Sequence, residues 1–123
     1  MEKSLFFISI IPPKEVFDQL KSFQKIMSCN FDSHKSYSHK PHLTLVPPFR
    51  IDVENEIQLI KFVNEIKFNK IEIYINGFNH FKKHTIFADV ETNKELENLH
   101  SILLKKINES NWLEKKVNYF QKF

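Results

Sequence analysis

Glycine and cysteine are nearly missing from this chain of 123 residues, which has one of each, Gly77 and Cys29. A single cysteine excludes an intramolecular disulfide and a cysteine-based metal centre, and fits a reducing cytoplasm. With so little glycine, tight turns must be made by Asn, Asp, Lys and Pro, and Gly77 is expected where the backbone takes a positive φ or passes close to another segment. Long apolar runs are also missing. The run from Leu5 to Ile11 is far shorter than a membrane span and stops at Pro12-Pro13, so it reads as a first strand, with neither a targeting signal nor a membrane anchor. Charge is close to balanced: 18 basic against 15 acidic side chains, net +3. That permits an anionic ligand but falls short of the basic footprint of a protein that lives on nucleic acid.

What the chain does have is 41% hydrophobic residues, 13 of them Phe, and 27% charged residues, which together exclude disorder and give a soluble globular protein. The length suits one domain over residues 1–123. After the first strand, Val16, Leu20, Phe23 and Met27 recur at helical spacing, predicting a helix from Pro13 to about Ser28. Residues 29–40 are polar and read as a loop. A short strand over about His42 to Val46 follows, closed by a Pro47-Pro48 turn. Asp52 is a candidate N-cap for a second helix running to about Lys67, with Ile57, Ile60 and Val63 as its apolar stripe. Ile71, Ile73 and Ile75 alternate with polar residues as a half-buried strand ended by Asn76-Gly77. Phe78 to Lys83 reads as a connection and Thr85 to Val90 as the returning strand. Asn93 can cap a third helix striped by Leu96, Leu99, Leu103 and Ile107 and ending near Ser110-Asn111. The order strand, helix, strand, helix, strand, strand, helix predicts an α+β fold with helices packed on a mixed or antiparallel sheet.

The stretch with chemistry in it is Lys40-Pro41-His42-Leu43-Thr44-Leu45-Val46-Pro47-Pro48-Phe49. Strand side chains alternate between faces, so His42 and Thr44 point one way, ~7 Å apart, and Leu43 and Leu45 the other. An imidazole gives or takes a proton at cellular pH, and a Thr hydroxyl can hydrogen-bond a phosphate oxygen. Phosphodiester cleavage wants a base for the attacking oxygen and an acid for the leaving oxygen, so a second His should face the first. The bare His-x-Thr spacing is weak, since six His and three Thr in this length give about 0.15 such pairs by chance. A structural His and a β-branched Thr at home in a strand are the plain alternative.

The context strengthens the signal. Pro41-His42-Leu43-Thr44-Leu45-Val46-Pro47-Pro48-Phe49 resembles the first signature of the 2H phosphoesterase superfamily, the 2′-5′ RNA ligase-like proteins. The opening strand ending at Pro12-Pro13, Ile73-x-Ile75-x-Gly77-Phe78, Phe81, and Thr85 to Val90 leading into a Leu-striped helix follow in that family's order, so the resemblance covers nearly the whole chain. It implies a bilobal fold with two facing His-x-Thr motifs. It also implies metal-independent and cofactor-free acid/base chemistry on 2′,3′-cyclic phosphates, 2′-5′ linkages or related nucleotide phosphodiesters.

Only His42 and Thr44 carry over as catalytic residues. The family's second motif would fall beyond Phe123, and His34-Lys35-Ser36 keeps the spacing only in a loop. The expectation is a chain whose second lobe is incomplete. It would be an enzyme once the second motif is supplied, and otherwise a module that binds a nucleotide or RNA end, or an interaction protein that oligomerises through its open lobe. Tyr37 and Phe49 are candidates to stack on a base, with Phe78 and Phe81 behind them, although such Phe residues are more often core. Lys40 and Arg50, with Lys82 and Lys83, can steer a phosphate, although scattered Lys is usually a solvated face. A metal site from Asp32, His34 and His39 lacks an element to fix its geometry. The expected partner is a nucleotide or RNA end carrying a 2′,3′-cyclic or 2′-5′ phosphodiester, with no membrane, and with the protein a monomer or homodimer.

Overall fold

The computed structural model describes residues 2–31, 39–68, 70–81, 85–113 and 117. Its elements are β1 (Lys3–Ile10), α1 (Lys14–Phe31), β2 (Leu43–Asp52), a 3-10 turn (Val53–Asn55), α2 (Glu56–Glu65), β3 (Ile75–Phe81), β4 (Thr85–Val90) and α3 (Lys94–Asn108). The class is α+β and the element order is the expected one. β1 pairs with β2, and β3 pairs with β4 in a second two-stranded sheet. The chain forms two compact units, one of Met1–Ile8 with Leu45–Phe123 and a smaller one of Ser9–Thr44.

The larger unit holds the core. Leu45, Val46, Phe49 and Ile51 of β2, Leu59 of α2, Leu96, Leu99, Leu103 and Ile107 of α3, and Val117 are all buried. The four α3 residues are the stripe read from the sequence, and each buried Leu or Ile contributes about 1.5–3 kcal/mol relative to exposure. Asn93 caps α3: its Oδ1 accepts from the Leu96 N–H at 2.8 Å, while its Nδ2 donates to the Glu72 carbonyl at 2.8 Å. Glu95 and Glu97 in the first turn and Lys105 and Lys106 in the last complement the helix dipole. At the end of the helix, the side-chain amide of Asn108 pairs with a backbone unit beyond it as a strand edge would. Its Nδ2 donates to the Val117 carbonyl at 2.9 Å and its Oδ1 accepts from the Val117 N–H at 2.8 Å.

Four expectations need correction. β2 does not stop at Pro47-Pro48 but runs through both prolines to Asp52. Proline has extended φ available, and because adjacent residues direct their N–H groups to opposite edges, one of the two prolines faces the free edge of the two-stranded sheet, where a missing N–H costs nothing. Asp52 therefore precedes the 3-10 turn, makes no side-chain cap bond, and α2 starts at Glu56.

The inward face of α2 is also different. Leu59 is buried and Phe62 and Ile66 are half-buried, whereas Ile57, Ile60 and Val63 are exposed. This helix has two apolar stripes, and periodicity alone cannot say which one meets the core.

Finally, residues 70–74 are not strand, and β3 begins at Ile75 and continues through Gly77 to Phe81, so Phe78 lies in a strand instead of a connection. The register jumps between the pairs Ile75–Val90 and Phe78–Ala88, which marks a bulge, and Gly77 supplies it with φ 73°. The positive φ expected of Gly77 thus serves a bulge inside a strand. Tyr119, Phe120 and Phe123, which follow Val117, lie outside the described residues.

Candidate functional site

Pro41 restricts Lys40 before it to extended backbone and is itself buried, so the chain enters β2 along a fixed path. His42 stands one residue ahead of the strand and is exposed, and Thr44, two residues on, is half-buried. Along the second half of β2 the odd positions Phe49 and Ile51 are buried while Pro48 and Arg50 are exposed, but the alternation expected of the motif fails at its centre, where Leu45 and Val46 are both buried and Leu43 and Thr44 both half-buried.

The His42 Nδ1–H donates to the Lys40 carbonyl at 2.6 Å. A carbonyl oxygen can only accept, so this contact selects the tautomer with the proton on Nδ1 in the neutral ring. The same arrangement orients histidines whose second nitrogen does chemistry. The Lys21 Nζ of α1 donates to the His39 carbonyl at 3.2 Å, tying the chain just before the motif to the helix. Lys21 was not singled out from the sequence. It lies 18 residues away, and no local pattern distinguishes it from other helical lysines.

The sequence candidates do not all gather. Lys40 and His39 are exposed and adjoin His42 in the smaller unit. Tyr37 lies outside the described residues, as do Asp32, His34, Lys82, Lys83 and His84. Phe49 is corrected to a core residue: at 5% exposure its ring has no open face for a base and is buried like Leu45, Val46 and Ile51 of the same strand. Arg50 is exposed on β2 in the larger unit, and Phe78 is exposed on β3.

Of the other imidazoles, His80 is exposed on β3. His100 is half-buried on α3, where desolvation pushes its pKa below the usual histidine value. Among the described residues, no three His, Cys, Asp or Glu side chains come together as a metal centre requires.

The family model for the 2′-5′ RNA ligase superfamily matches residues 12–123. The chain belongs to that superfamily, the 2H phosphoesterases. It is similar to a Geobacillus sp. (strain WCH70) protein named "Putative phosphoesterase GWCH70_0799", at 31% identity over 100 residues, which are 78% of this chain and 55% of that one. The chain therefore spans about half the length of this curated relative. No solved structure matches it. Among the described residues, no helix is long and apolar enough to cross a membrane.

Proposed function

We propose that Lys40 to Thr44 is a phosphate-handling half-site for RNA or nucleotide phosphodiesters, with His42 as the proton-transfer group and Thr44 as a hydrogen-bond donor to a phosphate oxygen. The observation that carries this reading is the His42 Nδ1–H bond to the Lys40 carbonyl at 2.6 Å, which orients the ring and places the proton of its neutral form on Nδ1. In the neutral ring Nε2 accepts the proton of an attacking hydroxyl or water, and in the protonated ring it donates to a leaving oxygen. One imidazole serves one of these two roles in a given step, so a second proton-transfer group is assigned to a facing segment. Lys40 and Arg50 supply positive charge, and Tyr37 a ring for a base. The substrate class is a 2′,3′-cyclic phosphate or a 2′-5′ linkage. Proton transfer is given to imidazole and phosphate binding to Thr and Lys, without a cofactor, in a single cytoplasmic domain.

Incubation with a 2′,3′-cyclic nucleotide and a 2′-5′-linked dinucleotide in the presence of a chelator, followed by chromatography, tests this reading. His42→Ala should bring turnover to background. Thr44→Val should lower it about tenfold, as expected for one lost hydrogen bond to a charged oxygen. Undiminished turnover in His42→Ala would refute the proposal. A second reading, capture of a phosphate end without cleavage, rests on the exposed His42 beside the half-buried Thr44, which can hold a phosphate oxygen whether or not a bond is broken. It expects saturable binding of the same nucleotides with no product after long incubation.

A further inference from the structure

Of the three lysines of α1, Lys21 alone is half-buried, while Lys14 and Lys25 are exposed. Its Nζ donates to the His39 carbonyl at 3.2 Å. A lysine stem laid along the protein and ended on a backbone carbonyl gives up rotamer freedom, and an exposed bond of this kind returns little stability. What the bond does fix is the course of the chain into the motif.

Between His39 and His42 each link limits the next. The peptide unit joining His39 to Lys40 is planar, so an ammonium on its carbonyl fixes the plane that also holds the Lys40 nitrogen. Only the φ and ψ of Lys40 lie between that plane and the one carrying the Lys40 carbonyl, and Pro41 holds Lys40 to extended values. Pro41 is itself buried, and its ring locks its own φ. The Lys40 carbonyl aimed in this way is the acceptor of the His42 Nδ1–H at 2.6 Å. Two consecutive carbonyls are thus held by two side chains, one from α1 and one from the motif. Lys21, His39, Lys40, Pro41 and His42 all lie in the smaller unit, so the relay runs inside one body.

We propose that Lys21 is a positioning residue for His42, acting through the His39 and Lys40 carbonyls to hold the imidazole in one orientation and in its Nδ1–H tautomer. The assignment rests on the reading of His42 as the proton-transfer group. In this role the ammonium touches no substrate.

Nitrogen NMR of the 123-residue chain with labelled histidine, at a pH where the ring is neutral, reads the tautomer, and His42→Ala identifies the signal by its loss. An unconstrained imidazole carries its proton mainly on Nε2. Lys21→Met should therefore shift His42 from the Nδ1–H towards the Nε2–H form while the melting curve stays in place, because the lost bond is exposed. Lys21→Arg, whose guanidinium can donate to the same carbonyl, should keep the parent pattern. Lys25→Met, which removes the same charge from an exposed site one turn along α1, should leave His42 unchanged. In turnover of a 2′,3′-cyclic nucleotide, Lys21→Met should lower kcat about tenfold and keep KM within about twofold.

An unchanged His42 tautomer in Lys21→Met, an equal shift in Lys25→Met, a shift shared by Lys21→Arg, or one accompanied by an earlier melting transition would each overturn the proposal. A raised KM with unchanged kcat would also overturn it, by making Lys21 a substrate contact. A parent chain that turns over nothing removes the hydrolytic reading of the site, and the NMR comparison then decides the role of Lys21 by itself.

Discussion

The two compact units of this chain are held by different means. In the larger one, buried aliphatic and aromatic side chains from β2, α2 and α3 form the core, and polar side chains secure the ends of α3. In the smaller one, α1 has no buried residue, and exposed polar bonds join its side chains and backbone: Lys14 to Asp18, Ser22 to the Asp18 carbonyl, Lys21 to the His39 carbonyl and His42 to the Lys40 carbonyl. Apolar burial contributes several kcal/mol per side chain, whereas exposed polar pairs contribute little. Stability therefore belongs to the unit with α3, and the candidate chemistry to the unit with little packing of its own. A side chain that must meet solvent and ligand cannot also be sealed in a core.

Substitutions in the two units should separate these properties. The largest expected effect is at Ile107, which has no exposed surface: Ile107→Ala should cost about 2–5 kcal/mol in denaturant unfolding, while His42→Ala leaves unfolding within about 0.5 kcal/mol of the parent. Equal destabilisation by the two would erase the contrast. Next is the double bond to Val117. Asn108→Ala leaves its N–H and carbonyl without the side-chain amide and should cost about 1–3 kcal/mol, and the Val117 amide should exchange hydrogen faster. Unchanged exchange there would mean the clamp is idle.

A smaller effect concerns pH. Burial lowers the pKa of His100 in the folded chain below its unfolded value near 6.5, so the unfolded state binds the proton more readily. Above pH 6.5 this group has no effect. As pH falls below it, stability declines, until the folded-state pKa is passed and the loss levels off. His100→Gln should flatten that part of a stability-against-pH curve, and an unaltered slope would assign the acid sensitivity to other groups. The smallest effect is at Lys14. Its bond to Asp18 is between exposed side chains, and Lys14→Ala should leave the melting temperature unchanged within error.

Much of the fold was legible where one local signal had no competitor. The α3 stripe, its Asn93 cap and the strand Thr85–Val90 came directly from periodicity and capping chemistry. Signals failed where two physical options were open. Pro47-Pro48 suits a turn or an edge strand, Gly77 suits a strand end or a bulge, and α2 carries two apolar stripes. The site was legible only as far as a local motif reaches. His42 and Thr44 are two residues apart on one chain segment, but Phe49, farther along the same strand, turned out to be core, and Lys21 entered only through a contact across 18 residues.

By itself, the sequence determined the α+β class, the order of the elements, the α3 face and the superfamily signature around His42, because each follows from neighbours three or four residues apart. Tertiary structure decided which face of α2 is inside and that β2 passes through its prolines. Those outcomes depend on which groups are brought together to exclude water or to share a hydrogen bond, and no local pattern contains that information.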